Sequence, residues 1–275
     1  MRQGHAMGKL MLIIGTVWPE PNSSAAGRHM LEIIDALQQG HWDIVFASTC
    51  ARGEQRFRLS DIGIEEQEIR LNCDSFDDWI RTLEPDAVMF DRFMTEEQFG
   101  WRVARTCPDA LRIIDTEDLH FLRLARQQAA KKEQTLDETV IVSETALREV
   151  ASILRSDLSL MISEYERQLL VDHYQVCDAQ LHYFPFQARL PSASWPGYNQ
   201  RHDFVFVGTM RHAPNLDAVR YLKQTLWPAI KAQLPQARLM IAGAYMTREV
   251  SQMHNPRQGF HVLGYVETLQ PLLAQ

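Results

Sequence analysis

The fold class is decided by FVFVGTMRHAPN, residues 204–215 of this 275-residue chain. Four apolar residues that run directly into Gly208 predict a buried strand of a parallel sheet. Pro214-Asn215 then predicts the first turn of an amphipathic helix, because proline is favoured at the start of a helix. The stretch therefore predicts a strand that feeds a helix through a short turn, which is where open α/β sheets bind ligands.

Two further apolar runs follow the same pattern. Strands are predicted from Arg238 to Gly243 and from Phe260 to Val266, and each carries a glycine at its carboxyl end. Glycine allows a phosphate or a nucleotide to approach the backbone closely. Gly208, Gly243 and Gly264 therefore predict a ligand site at one edge of a parallel sheet.

The first half of the chain alternates apolar strands with amphipathic helices, which predicts a doubly wound parallel sheet because parallel strands need crossover connections. The predicted strands are residues 10–16, 43–48, 86–90, 110–115, 158–163 and 183–186, and the predicted helices are 26–39, the region 118–155 and 164–174. Pro and Gly from Pro191 to His202 predict a hinge. The domains expected are residues 1–190, a linker at 191–202, and residues 203–275.

Composition limits the function classes. The chain has 28 Lys and Arg against 35 Asp and Glu, so its net charge is −7, which disfavours bulk attraction to nucleic acid. Its four cysteines form no CxxC pair, so neither a zinc knuckle nor a disulfide framework is indicated. The longest early apolar run is too short to span a bilayer, and we expect a cytoplasmic protein. The sequence does not decide between Met1 and Met7 as the start.

A series of motifs in the second half resembles a known family. The series is FVGTM at 206–210, PNLDAV at 214–219, WPAI at 227–230, ARLMIAG at 237–243 and VLGYVETL at 262–269. In this order the motifs resemble the nucleotide-sugar-binding domain of GT-B glycosyltransferases, in particular the retaining family-four group. The resemblance implies an α/β fold of two Rossmann-like domains, the second incomplete.

The resemblance also implies an activity and its partners. A sugar would pass from a nucleotide-diphospho-sugar to a hydroxyl of a glycan or lipid acceptor with retention of configuration. The donor is then a substrate, and no cofactor, metal or nucleic acid is expected. Peripheral membrane association and dimerisation through the edge of the second sheet are further expectations.

Donor-binding residues follow from the same resemblance. The positions that match are Gly208, Thr209, Arg211, Asn215, Gly243, Gly264 and Tyr265. The family usually has an arginine and a lysine where this chain has Thr209 and Asn215, so Arg211 is the candidate to neutralise the diphosphate. The alternatives are that Asn215 only caps a helix and that Tyr265 only packs in the core.

The segment from Asp115 to His120 places three acids and a histidine after an apolar strand. The resemblance makes His120 the residue that faces the donor sugar and the catalytic candidate. A metal site is a second interpretation, since carboxylates and imidazole suit divalent cations. The third is helix capping by Asp115 or Thr116.

The loop from Trp18 to Gly27 links the first strand to the first helix. Gly27 and Arg28 lie at the start of that helix, where an anion or a hydroxyl-rich ligand can bind, so they form the predicted acceptor and phosphate loop. A plain connection is the alternative.

The family's two donor-binding glutamates have no counterpart before Gln275. The sequence therefore leaves three hypotheses open: a fragment of a glycosyltransferase, a non-catalytic GT-B binding module, or a hexosamine-nucleotide 2-epimerase.

Overall fold

The computed structural model describes residues 8–53, 56–138, 141–187 and 196–273. The chain forms two compact units, residues 1–19 with 29–187 and residues 20–28 with 188–275. The two candidate start methionines and residues 191–195 of the predicted linker lie outside the described residues.

The first unit is built on seven parallel strands. The strands are β1 Lys9–Gly15, β2 Trp42–Ser48, β3 Glu65–Glu68, β4 Ala87–Asp91, β5 Leu111–Asp115, β6 Leu158–Met161 and β7 Leu181–Tyr183. The helices are α1 Ala25–Gln39, whose first four residues belong to the second unit, α2 Asp74–Leu83, α3 Phe93–Thr106, α4 His120–Lys131, α5 Glu144–Arg155 and α6 Glu164–Tyr174. The strand order is β3-β2-β1-β4-β5-β6-β7, so the Rossmann-like prediction is confirmed.

The order of the strands reverses between β1 and β4. Both are buried along most of their length, and successive side chains of β1 enter hydrophobic clusters on opposite faces of the sheet. Met11 and Ile13 belong to one cluster, and Leu12 and Ile14 to the other. The carboxyl ends of strands at such a switch point are the usual ligand site of an open α/β sheet.

The second unit contains a smaller parallel sheet. Its strands are β8 Phe204–Val207, β9 Leu239–Ala242 and β10 Phe260–Gly264, in the order β10-β9-β8. Its helices are α7 Ala213–Tyr221, α8 Trp227–Gln233, α9 Arg248–Gln252 and α10 Gln270–Leu273. The prediction that residues 204–207 form a buried strand is wrong in one respect: β8 is an edge strand, so Phe204 and Val207 are 38% and 44% exposed.

Trp227 and Pro228 interrupt one long helical stretch of the second unit. A π-helical turn, Leu222–Leu226, joins α7 to α8, and Pro228 lies in the first turn of α8. Proline cannot donate to the carbonyl four residues earlier, and a π-turn relieves the resulting clash. Trp227 is buried in the core of the second unit, and its indole N–H donates to the carbonyl of Gln258 at 2.8 Å, so its role is structural.

The last strand of the first unit was predicted at residues 183–186 but lies at Leu181–Tyr183. Phe184 still donates its N–H to the carbonyl of Met161, whereas Pro185 has no N–H with which to extend the ladder. All four cysteines have free thiols. Over the part of the chain that the structure describes, no helix has the length and apolar character needed to cross a bilayer.

Candidate active site

The ends of β1 and β4 are joined by hydrogen bonds at the switch point of the large sheet. Thr16 donates its backbone N–H to Asp91 Oδ2 at 3.0 Å and its hydroxyl to the Asp91 carbonyl at 2.8 Å. The Thr16 hydroxyl also lies 3.1 Å from that of Thr95. Asp91 is the last residue of β4 and is buried. These hydrogen bonds therefore fix it at the switch point of the sheet.

Two residues beside Asp91 have strained backbones. Arg92 follows β4 with φ of 71° and Glu117 follows β5 with φ of 56°, both in the left-handed region that non-glycine residues seldom adopt. The Arg92 guanidinium lies 3.5 Å from the Asp91 carboxylate, whose charge raises the pKa of Arg92. Strained residues of this kind concentrate at functional sites, which favours this edge as one.

A buried polar cluster lies at the end of β5. His29, Asp115 and Glu117 each offer one atom that lies within 4.8 Å of the others. Burial raises the pKa of Asp115 to about 7, and the nearby charges of Glu117 and Asp91 add to the effect. Burial opposes protonation of His29, but its contact with Glu117 and the charge of Asp115 outweigh this, so the pKa of His29 is raised.

His120 is the first residue of α4, and its side chain is 15% exposed. Its Nδ1 lies 3.3 Å from Glu149 Oε1, and its ring meets the ring of Phe93 edge-on at 5.5 Å. Glu149 also accepts hydrogen bonds from the backbone N–H groups of His120 and Phe121, at 3.0 and 2.9 Å. The Glu149 carboxylate therefore lies within ion-pair distance of the imidazole and is itself anchored to the helix.

The first turn of α4 is capped by two glutamates from other helices. Besides Glu149, Glu166 accepts from the N–H of Leu119 at 3.1 Å, and burial raises the pKa of Glu166 to about 7. Capping by Asp115 or Thr116 is therefore wrong. Asp115 Oδ1 accepts from Glu117 N, and the Thr116 hydroxyl donates to the Leu160 carbonyl at 2.9 Å.

The three predicted glycines of the second unit have different surroundings. A Cβ on Gly243 would lie 1.9 Å from the Gly208 carbonyl oxygen, and one on Gly208 would lie 2.7 Å from the Asn215 amide. A side chain at either position would therefore strike the protein itself. Gly264 differs, because its φ is 79° and a Cβ there would meet nothing within 4 Å. Of these three glycines, Gly264 alone opens onto free space among the described residues.

Arg211 is exposed and stacks on an aromatic ring. Its guanidinium carbon lies 3.5 Å from the ring centroid of Tyr245, whose hydroxyl donates to Glu20 Oε2 at 2.8 Å. That hydrogen bond raises the pKa of Tyr245. Tyr245 itself has a left-handed φ of 56°. Stacking holds the guanidinium flat and leaves its N–H edges available for an anion.

Three other predicted donor residues lie near the carboxyl ends of β8 and β10. Thr209 follows β8 in the turn before α7, and its carbonyl accepts from the Asn215 side chain at 3.0 Å. Capping by Asn215 is wrong, because His212 is the N-cap and Asn215 lies inside α7. Tyr265 is 47% exposed, so its interpretation as a core residue is also wrong.

The loop before α1 is tightly packed. A Cβ on Gly27 would lie 2.6 Å from the backbone of Glu20, so glycine is needed there for packing. The Gly27 N–H donates to the Ser24 hydroxyl at 3.0 Å, and Arg28 is exposed on the next position of the helix. Gly27 therefore supports the loop and leaves Arg28 as its exposed group.

The predicted residues fall into two sets that the two units hold separately. His120 lies in the first unit, and all the donor candidates lie in the second, together with Gly27 and Arg28. The sequence reasoning missed Glu149 and Tyr245, which contact His120 and Arg211, and also His29, Asp91, Arg92 and Glu166. Of these, Asp91 and Arg92 had a signal, since they directly follow the strand predicted at residues 86–90.

Residues 201–275 match the family model for glycosyl transferases, group 1. The resemblance to GT-B glycosyltransferases is confirmed. The match supports sugar transfer in general and covers the second unit's sheet with its three strand-end glycines. No curated protein matches the sequence at a significant level.

Solved structures are similar to nearly the whole chain. A glycosyltransferase from Rickettsia africae ESF-5 has a TM-score of 0.59 at 9% identity, with 98% of this chain and 71% of that one covered. The apo form of the lipopolysaccharide outer core galactosyltransferase WaaB has a TM-score of 0.57 at 11% identity, with 97% and 71% covered. S. aureus MnaA with UDP has a TM-score of 0.56 at 11% identity, with 97% and 71% covered. At these identities the likeness shows the GT-B fold.

Proposed function

We propose that this protein transfers a sugar from a nucleotide-diphospho-sugar to a hydroxyl of a glycan or lipid acceptor, with retention. The observation that carries the proposal is the family match over residues 201–275, which contains every donor candidate from Gly208 to Tyr265. The S. aureus MnaA structure holds UDP on a similar fold, which supports a nucleotide as part of the donor. The donor is a substrate, and the transfer needs no cofactor.

The diphosphate is assigned to Arg211 and the turn before α7. The guanidinium is exposed and held flat on Tyr245, so it can bind two phosphate oxygens at once. The first N–H groups of α7 add a positive dipole end close to it in sequence. Neutralising the departing diphosphate stabilises the charge that develops as the sugar leaves, which is the largest contribution in most such sites.

The nucleoside is assigned to the end of β10. Gly264 has a left-handed backbone with open space beside it, and Tyr265 is exposed on the next position. An exposed aromatic ring can stack on a base, and the open glycine lets the ribose approach the backbone. Gly208 and Gly243 contribute by allowing the ends of β8 and β9 to pack closely.

His120 is assigned to the donor sugar. The buried carboxylate of Glu149 lies 3.3 Å from Nδ1, and the Phe93 ring meets the imidazole edge-on at 5.5 Å, so both restrict the ring orientation. A hydrogen bond from this ring to a sugar hydroxyl orients the anomeric carbon without a covalent step on the protein. Gly27 and Arg28 are assigned to the acceptor or phosphate loop.

Residues 1–190 then serve the acceptor, residues 203–275 the donor, and residues 191–202 join them. The four free thiols support the cytoplasm as the compartment. Peripheral membrane association and dimerisation through the edge of the second sheet stay predictions.

A second function is favoured by one observation. Thr209 and Asn215 replace the family's usual cations, and the Asn215 amide is already used inside the turn. A protein that binds a nucleotide-sugar without transferring it would keep the fold and lose these charges. Both functions predict that the protein binds a nucleotide-sugar, but only the transferase is expected to turn it over.

Donor binding is tested by isothermal titration calorimetry with UDP, GDP and their sugars. We expect one nucleotide to bind and Arg211→Ala to weaken it at least tenfold, since a charge-assisted bidentate contact is lost. Arg257→Ala is the matched control, because Arg257 is exposed and precedes β10, at the opposite edge of the sheet from the glycines. Equal affinity in wild type and Arg211→Ala would remove Arg211 from the site, and binding of no nucleotide would overturn the proposed function.

A further inference from the structure

We propose that the first unit holds a divalent transition-metal cation, with Zn²⁺ as its representative, between His29, Asp115 and Glu117. The ion is structural and takes no part in sugar transfer, so the proposal stands apart from the proposed function. It rests on the tautomer of His29, on buried oxygens that lack partners, and on the separation of the ligand atoms.

The tautomer of His29 follows from its backbone partner. Nε2 lies 3.1 Å from the carbonyl oxygen of Phe184, which can only accept a hydrogen bond, so Nε2 carries a proton. In a neutral ring, Nδ1 then has a lone pair, and it lies 3.5 Å from Glu117 Oε1. Two lone pairs would face each other in a buried site, so a proton or a bound cation must lie between the two atoms.

Unpartnered atoms show that one proton is insufficient. Within the described residues, His29 Nδ1, Asp115 Oδ2 and Glu117 Oε1 are all buried without a hydrogen-bond partner. Asp115 is 0% exposed and Glu117 is 6% exposed. A proton on Nδ1 would satisfy Glu117 but leave the Asp115 oxygen unsatisfied, which costs free energy in a buried site. A single cation bound by all three atoms satisfies them together.

The ligand geometry and charge suit a zinc-class ion. Zinc bonds to nitrogen and oxygen are about 2.1 Å, so two ligands of a tetrahedral ion are roughly 3.4 Å apart. The His29–Glu117 separation of 3.5 Å fits this value. The Asp115 carboxylate oxygen lies within 4.8 Å of both atoms, so binding would draw it closer by a small side-chain shift. Two carboxylates balance the double charge. The bond from Nε2–H to the Phe184 carbonyl is the outer contact that metal-binding histidines usually make.

Such an ion would tie together two distant segments of the chain, α1 and the end of β5, and the hydrogen bond from His29 Nε2 links them to a third segment after β7. His29 belongs to α1, Asp115 ends β5, and Phe184 follows β7. The rings of Phe184 and Phe186 lie 5.6 and 4.8 Å from the His29 ring and shield the site. Metal binding to a folded site stabilises it, so the ion should raise the melting temperature.

The test uses the whole chain, stripped with EDTA and titrated with Zn²⁺. We expect one equivalent to bind and the melting temperature to rise by roughly 5 °C at a hundredfold excess over Kd. Glu117→Gln keeps the side-chain shape and should weaken binding at least about 100-fold, since it removes an anionic ligand. Glu166→Gln is the matched control, because Glu166 is a buried carboxyl of the same unit outside the cluster, and it should bind Zn²⁺ as wild type does.

Zinc X-ray absorption of the loaded wild type decides the case even if Glu117→Gln does not fold. One imidazole with otherwise oxygen ligands supports the proposal. The proposal would be overturned by a sulfur ligand, by two or more imidazoles, or by equal binding to Glu117→Gln. Absence of stoichiometric zinc would also overturn it and would mean that protons alone neutralise the cluster.

Discussion

Glu149→Ala should destabilise the first unit substantially, because this glutamate caps a helix to which it does not belong. Glu149 lies on α5 and is 1% exposed, and its two oxygens accept the backbone N–H groups of His120 and Phe121 at 3.0 and 2.9 Å. Alanine would leave both donors at the start of α4 without their partner. Phe121 is itself 1% exposed, so water cannot easily replace the carboxylate there.

The magnitude follows from these two contacts. A hydrogen bond to a charged group contributes about 1.5–3 kcal/mol, so two give about 3–6 kcal/mol. Removing a buried carboxylate also relieves its desolvation, which offsets part of the loss. We therefore expect Glu149→Ala to lower the free energy of unfolding by about 3 kcal/mol. This corresponds to a melting temperature lower by roughly 6–12 °C for a chain of this size. Glu149→Gln keeps one acceptor oxygen and should lose about half as much.

Urea denaturation followed by circular dichroism measures the loss. Glu144→Gln is the control, since Glu144 lies on the same helix with its side chain 89% exposed, and it should change stability by less than about 1 kcal/mol. A Glu149→Ala variant as stable as this control would refute the capping of α4 by Glu149, and with it the account of how His120 is held.

Two further predictions concern a buried acid and the strand-end glycines. Burial raises the pKa of Glu166 from 4.5 to about 7, so its contribution to stability is full below pH 4.5 and is lost as the pH rises through 7. Glu166→Gln should therefore gain stability relative to wild type between pH 5 and pH 8, by at most on the order of 3 kcal/mol. Denaturant unfolding at each pH measures this difference in the free energy of unfolding. A difference that does not change with pH would contradict the raised pKa of Glu166. Gly243→Ala should lower the free energy of unfolding by about 3 kcal/mol or more, because the alanine Cβ would strike the Gly208 carbonyl. Gly264→Ala should lower it by about 1 kcal/mol and should also weaken UDP binding. Equal losses of stability in the two glycine variants would contradict their different roles.

The sequence predicts the elements whose signal is local. The helix predicted at residues 164–174 has those bounds in the structure, and the strands at 204–207, 239–242 and 260–264 fall within their predicted ranges. Apolar runs and terminal glycines are read from neighbouring residues, so no distant information is needed. The GT-B fold follows from the same motifs.

Elements that depend on partners elsewhere are not predictable in this way. Strand β3 has the sequence Glu-Glu-Gln-Glu and no apolar residue, yet it pairs with β2 because that edge offers backbone hydrogen bonds. Glu66 is held there by Arg56 at 2.7 Å, and this ion pair together with an N–H bond from Leu59 lowers the pKa of Glu66, although burial opposes the shift. The pattern of hydrophobic residues cannot predict such an edge strand, because the strand has no hydrophobic residue.

The candidate site shows the same division. His120 and Arg211 follow predicted strands and Gly264 lies near the end of one, so the sequence could single them out. Glu149 and Tyr245 act through contacts that only the folded chain brings about. The sequence also predicted local caps for α4, whereas the fold supplies carboxylates from two other helices.

The central claim is sugar transfer. The most direct measurement is the release of the nucleoside diphosphate from a panel of UDP- and GDP-sugars with glycan and lipid acceptors. We expect acceptor-dependent release by wild type, and at least a hundredfold lower turnover in His120→Ala with the melting temperature nearly unchanged, because this histidine is assigned to the reacting sugar and not to the core. Tight nucleotide binding without release from any pair would contradict transfer and favour a non-catalytic module, and a large loss of stability in His120→Ala with undiminished turnover would remove His120 from the site.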